Sequence, residues 1–570
     1  MLDLVVRGGE VIDGTGAERQ RADVGVRDGR VVAIGDIAED ASTTIDADGQ
    51  VVAPGFVDIH THYDAQVLWD AATTPSPFHG VTTIVGGNCG FTIAPIEESE
   101  IDYLTKMLAR VEGMPLESLL EGVKYDWRTF GEYLDRIDGK LAVNAGFLVG
   151  HSAIRRVVMS DDAIGNEAND DQLKRMGQVL AESLAAGGLG FSSSQATTHN
   201  DANGDPVPSR FATPDELIEL CRVTGEHEGT TLEFIPHVGV FEDQHRKLMA
   251  DMSRAANRPL NWNVLVPNAA NSDYVASQLS ASDCAAENGG QVLALTVPDV
   301  MTTYLTFKAG FVLDALPGWR KTMALPLDEK MKALTDPDER KRLAEGASSP
   351  DAGMLRGLAN WKNMTLVETF APENHEVMGR TVGEVAQERN QDPFECLLDI
   401  ALLDDLRTII QPPLAGNDDA SWQLRRDVWR DKRAVVGASD AGAHLDMLST
   451  FSFSTAMLRS VREHDLMPLE EAVHLLTDRQ ARLYGLKERG RIAEGWHADL
   501  VVFDPATIEP NAVQWRNDLP AGAGRLYADA AGISSVVVNG TEIVKNNELT
   551  GATPGTLMRS GRDTETVTAR

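Results

Sequence analysis

The sequence predicts an α/β fold: a closed (β/α)8 barrel of TIM-like form, joined to a small β-sandwich domain built from both chain ends. Three observations predict it. Short apolar runs punctuated by glycine- and aspartate-rich turns fill residues 1–53 and return at 488–545, the pattern of short strands. Between them, from 54 to 487, apolar runs of four to six residues alternate with helix-like stretches, the rhythm of a parallel sheet with crossover helices. At 570 residues the chain can bury a large core in more than one domain, and the middle is long enough for eight strand–helix units.

The elements follow in order. Leu4-Val5-Val6, Val11-Ile12, Val24-Gly25-Val26 and Val31–Ile34 read as strands, with turns at Gly8-Gly9, Asp13-Gly14 and Asp28-Gly29. At the far end Ala498–Phe503 and Ser534–Val538 are strands, and Asn539-Gly540 opens a hairpin. In the middle, strands are expected at Thr82–Val85, Leu141–Asn144, Thr231–Ile235, Pro259–Asn263, Val292–Leu295 and Ala434–Gly437, and helices at 170–186, 213–228, 383–404 and 468–484. Residues 302–360, with Trp319, Pro326 and a charged helix, interrupt the rhythm and are read as an insertion that could cover a site. Residues 546–570 form a polar tail.

Composition limits the function classes. Charged residues make up 24% and hydrophobic residues 42%, which is ordinary globular composition, but the formal net charge is -34. That charge repels nucleic acid and anionic membrane alike, so neither is expected as a partner. The four cysteines, Cys89, Cys221, Cys284 and Cys396, are widely spaced and form no CxxC pair, which suits a reducing compartment such as the cytoplasm. The first residues hold no basic, apolar leader, and no run is long enough to span a bilayer.

Three segments carry chemistry. Pro54–His62 reads as a buried strand ending in His60-Thr61-His62. Side chains alternate along a strand, so the two imidazoles share one face and form a pincer for a divalent metal such as zinc. Gly86-Gly87-Asn88-Cys89-Gly90 follows the next strand, and its glycines allow a sharp turn that sets Cys89 at a strand end. A thiolate there is a zinc ligand; a thiol there is a small buried hydrophobe. Val435–His444 delivers Asp440 to a glycine-flanked loop, where a carboxylate can bind metal and exchange a proton with water. Neighbouring His444 either hydrogen-bonds to substrate or simply sits on the loop. His151, after an apolar run at 145–149, and Arg155, whose guanidinium matches a carboxylate, are further candidates for substrate binding. His199, His227, His245, His375, His464, His474 and His497 lie in polar, helical or β-domain surroundings and are read as non-ligands.

His60-Thr61-His62 after Gly55-Phe56-Val57-Asp58, taken with Ser439-Asp440, resembles the metal-dependent amidohydrolase superfamily. Its composite sandwich is resembled by the two β-rich ends, including Gly495–Phe503. Gly87-Asn88-Cys89-Gly90, Gly150–Arg155 and Gly379-Arg380-Thr381-Val382 resemble the N-acyl-D-amino-acid deacylase (D-aminoacylase) branch. The resemblance implies Cys89 as a metal ligand beside His60, His62 and Asp440, one zinc ion with room for a second, and an N-acylated amino acid of D configuration or a related amide as the small-molecule partner. It leaves a homo-oligomer open. The branch also places histidines at the ends of strands five and six. Here those segments read Leu232-Glu233-Phe234-Ile235-Pro236-His237 and Leu260-Asn261-Trp262-Asn263. Glu233 could serve as an oxygen ligand and His237 could reach in, whereas Asn263 is a poor substitute. Two other functions compete: a cyclic amidase of the dihydropyrimidinase kind, which would need a carboxylated lysine that no strand end supplies, and a non-catalytic barrel acting as a binding scaffold.

Overall fold

The computed structural model describes residues 1–310 and 312–569; Phe311, inside the expected insertion, and Arg570 lie outside the described residues. Eight parallel strands form the barrel. The first three are Phe56–Asp58, Val81–Gly86 and Asn144–Phe147, the third resuming at Val149–Gly150 after Leu148. The next five are Gly190–Ser194, Thr231–Ile235, Leu260–Leu265, Val292–Thr296 and Ala434–Val436, each paired in parallel with its predecessor. The ring closes by a bridge from Thr61 to Ala441. Val57, Ile59, Val85, Leu148, Leu295 and Val435 fill its interior, so the barrel is a packed core, with its open face at the C-terminal strand ends.

Both chain ends meet in one sheet. Val51–Pro54 pairs antiparallel with Leu500–Phe503 and joins five N-terminal strands to four C-terminal ones in a nine-stranded sheet. Two smaller strand pairs, Glu509–Pro510 with Ala530–Ala531 and Gln514–Arg516 with Arg525–Tyr527, lie beside it in sequence.

Two expectations need correction. The interruption after strand seven runs beyond residue 360: Leu305, Phe307, Trp319, Leu366, Val385 and Leu397 belong to one separate hydrophobic cluster, and Thr365–Glu368 pairs with Ile409–Gln411. The helix expected at 383–404 therefore belongs to this unit. It is split into Val382–Arg389 and Pro393–Leu403, because Asn390 adopts φ +52° and Asp392 caps a fresh helix whose first residue is proline. The polar tail, which the sequence leaves either ordered or partly loose, is ordered and packs on the barrel: Gly555 and Met558 donate backbone hydrogen bonds to Leu141 and Ala145 at the start of strand three, and Met558 is buried in the barrel cluster.

A buried polar knot joins sheet, barrel and tail. Asp499 accepts from Arg489, from Asn144 of strand three (3.1 Å) and from the backbone of Asn539 (2.8 Å), while Asn539 donates to Pro554 and Thr556 of the tail. Arg489 and Asp499 keep side-chain exposures of only 4% and 5%. Asp499→Ala is expected to lower stability by about 3–5 kcal/mol, because it strands a buried guanidinium. Urea unfolding followed by tryptophan fluorescence measures it; a loss below about 1 kcal/mol would show that the knot is dispensable.

Candidate metal centre

The centre lies where strands one, two and eight end. His60 and His62 follow strand one and project to one side, as the two-residue repeat requires. Cys89 is delivered by a tight turn after strand two. Gly87 adopts φ +75°, and a Cβ there would lie 2.3 Å from the Leu148 carbonyl oxygen, so only glycine fits. Cys89 itself has φ +57°, and Asp440 and His444 have φ +56° and +48°. Backbone strain at three neighbouring functional groups is the pattern of a site whose geometry the fold imposes.

His60 Nε2, His62 Nε2 and Cys89 Sγ all lie within 4.8 Å of one another. The sulfur is 3.5 Å from His60 Nε2 and 3.8 Å from His62 Nε2. Asp440 Oδ1 lies 3.4 Å from His60 Nε2 and 3.0 Å from His62 Nε2. A tetrahedral ion with nitrogen bonds of ~2.0–2.1 Å and a sulfur bond of ~2.3 Å separates its donors by roughly 3.3–3.7 Å. The four donors therefore have the spacing and chemistry of a zinc-type site. The thiol agrees with this. Burial, then the nearby Glu233, Glu112 and Asp440, push its pKa well above the ordinary range, so a thiolate forms here only with a compensating cation.

The surrounding groups hold these four in place. Confinement raises the Asp440 carboxyl, but hydrogen bonds from His60 and His62 outweigh it and keep it well below the usual carboxylate range. Burial disfavours charge on His62, yet Glu112 and Asp440 carry the imidazole up to about 10. Glu112 Oε1 sits 3.3 Å from His62 Nδ1 and so fixes which nitrogen faces the cluster. Burial pushes Glu112 up to about 7 and Glu233 to about 8.

The expected residues divide into four groups. His60, His62, Cys89 and Asp440 converge. His237 and His444 line the same chamber, of about 400 Å3, with His444 Nε2 3.7 Å from Asp440 Oδ2. Glu233 is present beneath the cluster but is not a free ligand: one oxygen accepts the Cys89 N–H at 2.7 Å and the other accepts the Asn263 amide. The two positions that depart from the D-aminoacylase pattern thus bind each other and support the cysteine turn. His151 and Arg155 are not at the chamber. Both are fully buried around Glu216, which takes His151 Nε2 at 2.8 Å and Arg155 Nη1 at 2.5 and 2.6 Å. A buried guanidinium needs a carboxylate, and helix Pro214–Gly225 supplies one.

Sequence reasoning missed two chamber residues. Glu112 follows helix Ile101–Val111 in a segment with no motif. His199, read as a non-ligand, lies five residues past strand four, where its Nδ1 meets Ser194 Oγ at 2.8 Å and its ring packs on Phe91. Its place after a barrel strand was the available signal.

Comparison with known proteins accords with this geometry. The amidohydrolase family model Amidohydro_3 matches residues 43–544. The D-aminoacylase of Alcaligenes xylosoxydans xylosoxydans is 29% identical over 98% of this chain and 97% of its own length. The N-acyl-D-aspartate deacylase of the same organism is 29% identical over 98% of this chain and 95% of its own. A solved D-aminoacylase, studied for the functional role of its binuclear metal centre, matches with a TM-score of 0.65 and 26% identity, covering 98% of this chain and all of that one. With a family match spanning the barrel and parts of both β-rich ends, the chain belongs to the amidohydrolase family.

Proposed function

We propose that this protein is a metal-dependent hydrolase of linear amides, acting on N-acylated amino acids of D configuration. The observation that carries this is the convergence of His60, His62, Cys89 and Asp440 at the open end of the barrel. The D-aminoacylase and N-acyl-D-aspartate deacylase relatives, similar over nearly the full chain, support the substrate class.

His60, His62 and Cys89 would hold the ion, with Asp440 as the fourth donor, and zinc is the metal this donor set favours. Bound there, a divalent metal lowers the pKa of water and polarises a carbonyl oxygen. Asp440 is the proton carrier: Oδ1 faces the two imidazoles and Oδ2 faces His444, so the carboxylate can accept a proton from the attacking water and return it to the leaving nitrogen. Glu112 holds the His62 tautomer, and the Glu233–Asn263 pair holds the Cys89 turn. Among the described residues lining the chamber there is no lysine, so the bridging carboxylated lysine of a dihydropyrimidinase has no counterpart.

Three outcomes test this. Asp440→Asn should lower kcat on the N-acyl-D-amino acid that the wild type turns over best by about 10²–10⁴-fold with an unchanged circular dichroism spectrum; near-wild-type turnover would remove Asp440 from the mechanism. Protein purified without chelator should carry metal by elemental analysis, and a His60→Ala/His62→Ala variant should lose it; retention would refute the assigned ligands. Glu233→Ala should weaken zinc affinity by about 10–100-fold in competition with a chromophoric chelator, the usual cost of losing a support behind a ligand. Complete loss of zinc would instead make Glu233 a ligand.

A further inference from the structure

The side of the chamber that runs toward the loops after strands five and six carries a run of apolar side chains beside the polar His237, Asn263, Asn271 and Gln278. Val275 is buried at 4% exposure and Ile235 and Val264 are partly covered, while Met301 and Leu448 add apolar lining from the segments after strands seven and eight. The wall ends at Val238, Val266 and Tyr274, which are 50%, 37% and 38% exposed yet line the same chamber. Val240, two residues from Val238, is 44% exposed. Large apolar side chains gathered at a cavity mouth mark a surface meant to be covered by a ligand. The rim is also braced: Gln278 of helix Ser272–Glu287 donates to the Gly239 carbonyl at 2.9 Å.

The candidate catalytic groups give this wall a direction. Asp440, which returns the proton to the leaving nitrogen, stands on the strand-eight side with His444. His444 also lines a second cavity that carries the cations Lys308 and Arg407. The polar amine therefore departs toward strand eight, and the acyl group extends the other way, along the loops after strands five and six. We infer that the apolar wall is an acyl-chain subsite, and that the substrates are amides of medium- to long-chain fatty acids rather than acetyl amides. The inference rests on the hydrolase reading for its direction and extends it to the class of acyl group.

The experiment compares N-acetyl-, N-butanoyl-, N-octanoyl- and N-dodecanoyl-D-leucine below their micellar concentrations with the metal-loaded enzyme. Each methylene that reaches the wall should raise kcat/KM up to about fourfold, so octanoyl should exceed acetyl by well over tenfold before the series levels off where the chain emerges past Tyr274. Val266→Ser and Tyr274→Ser should each reduce the octanoyl-to-acetyl ratio several-fold. Equal kcat/KM across the series, or ratios unmoved in both variants, would overturn the subsite. If no member is hydrolysed, calorimetric titration of octanoyl- and acetyl-D-leucine into the same protein separates the two ideas. Octanoyl binding at least tenfold tighter, and weakened by Val266→Ser, keeps the subsite while the hydrolase assignment falls; equal or undetectable binding of both refutes the subsite.

Discussion

The backbone carbonyl of His60 is where the barrel closes, and the geometry of the site depends on that closure. Asp440 N–H and Ser439 Oγ both donate to it, at 3.2 and 3.1 Å, while His62 N–H donates to Ala441 at 2.7 Å. The same contacts that join strand eight to strand one bring the carboxylate of Asp440 to the two imidazoles. Gly442 permits the fit: at φ +91°, a Cβ there would sit 2.8 Å from the His62 carbonyl. Asp440 needs no separate positioning device, because a barrel that closes in this register has already placed it. Strand two is held by similar means: Thr61 donates from both backbone and side chain to Val85, the residue from which the cysteine turn departs.

A second constraint is electrostatic. Asp58, Asp64, Glu112 and Glu233 are all at most 4% exposed and lie around the cysteine–histidine cluster. Burial raises Asp58 to about 7 and Asp64 to about 6. So many buried acids are costly unless a cation or a full set of donors compensates them. The donors are partly visible: the Gly87 amide to Asp64 at 3.0 Å, the Cys89 amide and Asn263 to Glu233, and His62 beside Glu112. What remains is a ring of buried carboxyl groups around a thiol and two imidazoles, and a divalent cation bound at the centre would draw those carboxyls back toward their charged form. The acidity of the chain as a whole leaves this local arrangement unspecified.

The parts legible in the sequence are those set by local rules. His60-Thr61-His62 announces itself because a strand repeats every two residues, and Gly86-Gly87-Asn88-Cys89 because a tight turn needs glycine. The strand–helix rhythm gives the barrel for the same reason. What could not be read depends on contacts between distant segments. Glu112 reaches His62 across the barrel mouth from a helix with no motif. Arg155 was open to two readings, a substrate partner or a surface arginine, because its partner Glu216 lies 61 residues away. The insertion looked shorter than it is, because helices at 382–403 have the same amphipathic pattern whether they cover a barrel or the separate core around Trp319. Where the tail docks could not be read because its polar composition hides Leu557 and Met558, which become buried against strand three.

The pair Glu233 and Asn263 brings these threads together. Taken singly, Glu233 looks like an oxygen ligand standing in for a histidine and Asn263 like a poor substitute for another. In the folded chain they bind one another, and Glu233 carries the Cys89 amide on its remaining oxygen. Strand pairing sets Glu233 opposite Asn261 and Phe234 opposite Trp262, so Asn263 lies just beyond the paired residues on the face that Glu233 shares. The two residues together therefore brace the turn that carries Cys89. A site built this way concentrates its donors on strands one, two and eight and leaves the loops after strands five and six free of that duty. Those loops are the ones that carry the apolar rim of Val238, Val266 and Tyr274. The Glu233–Asn263 pair at the ends of strands five and six and the apolar rim on the loops that follow them therefore face one chamber from the same two strands.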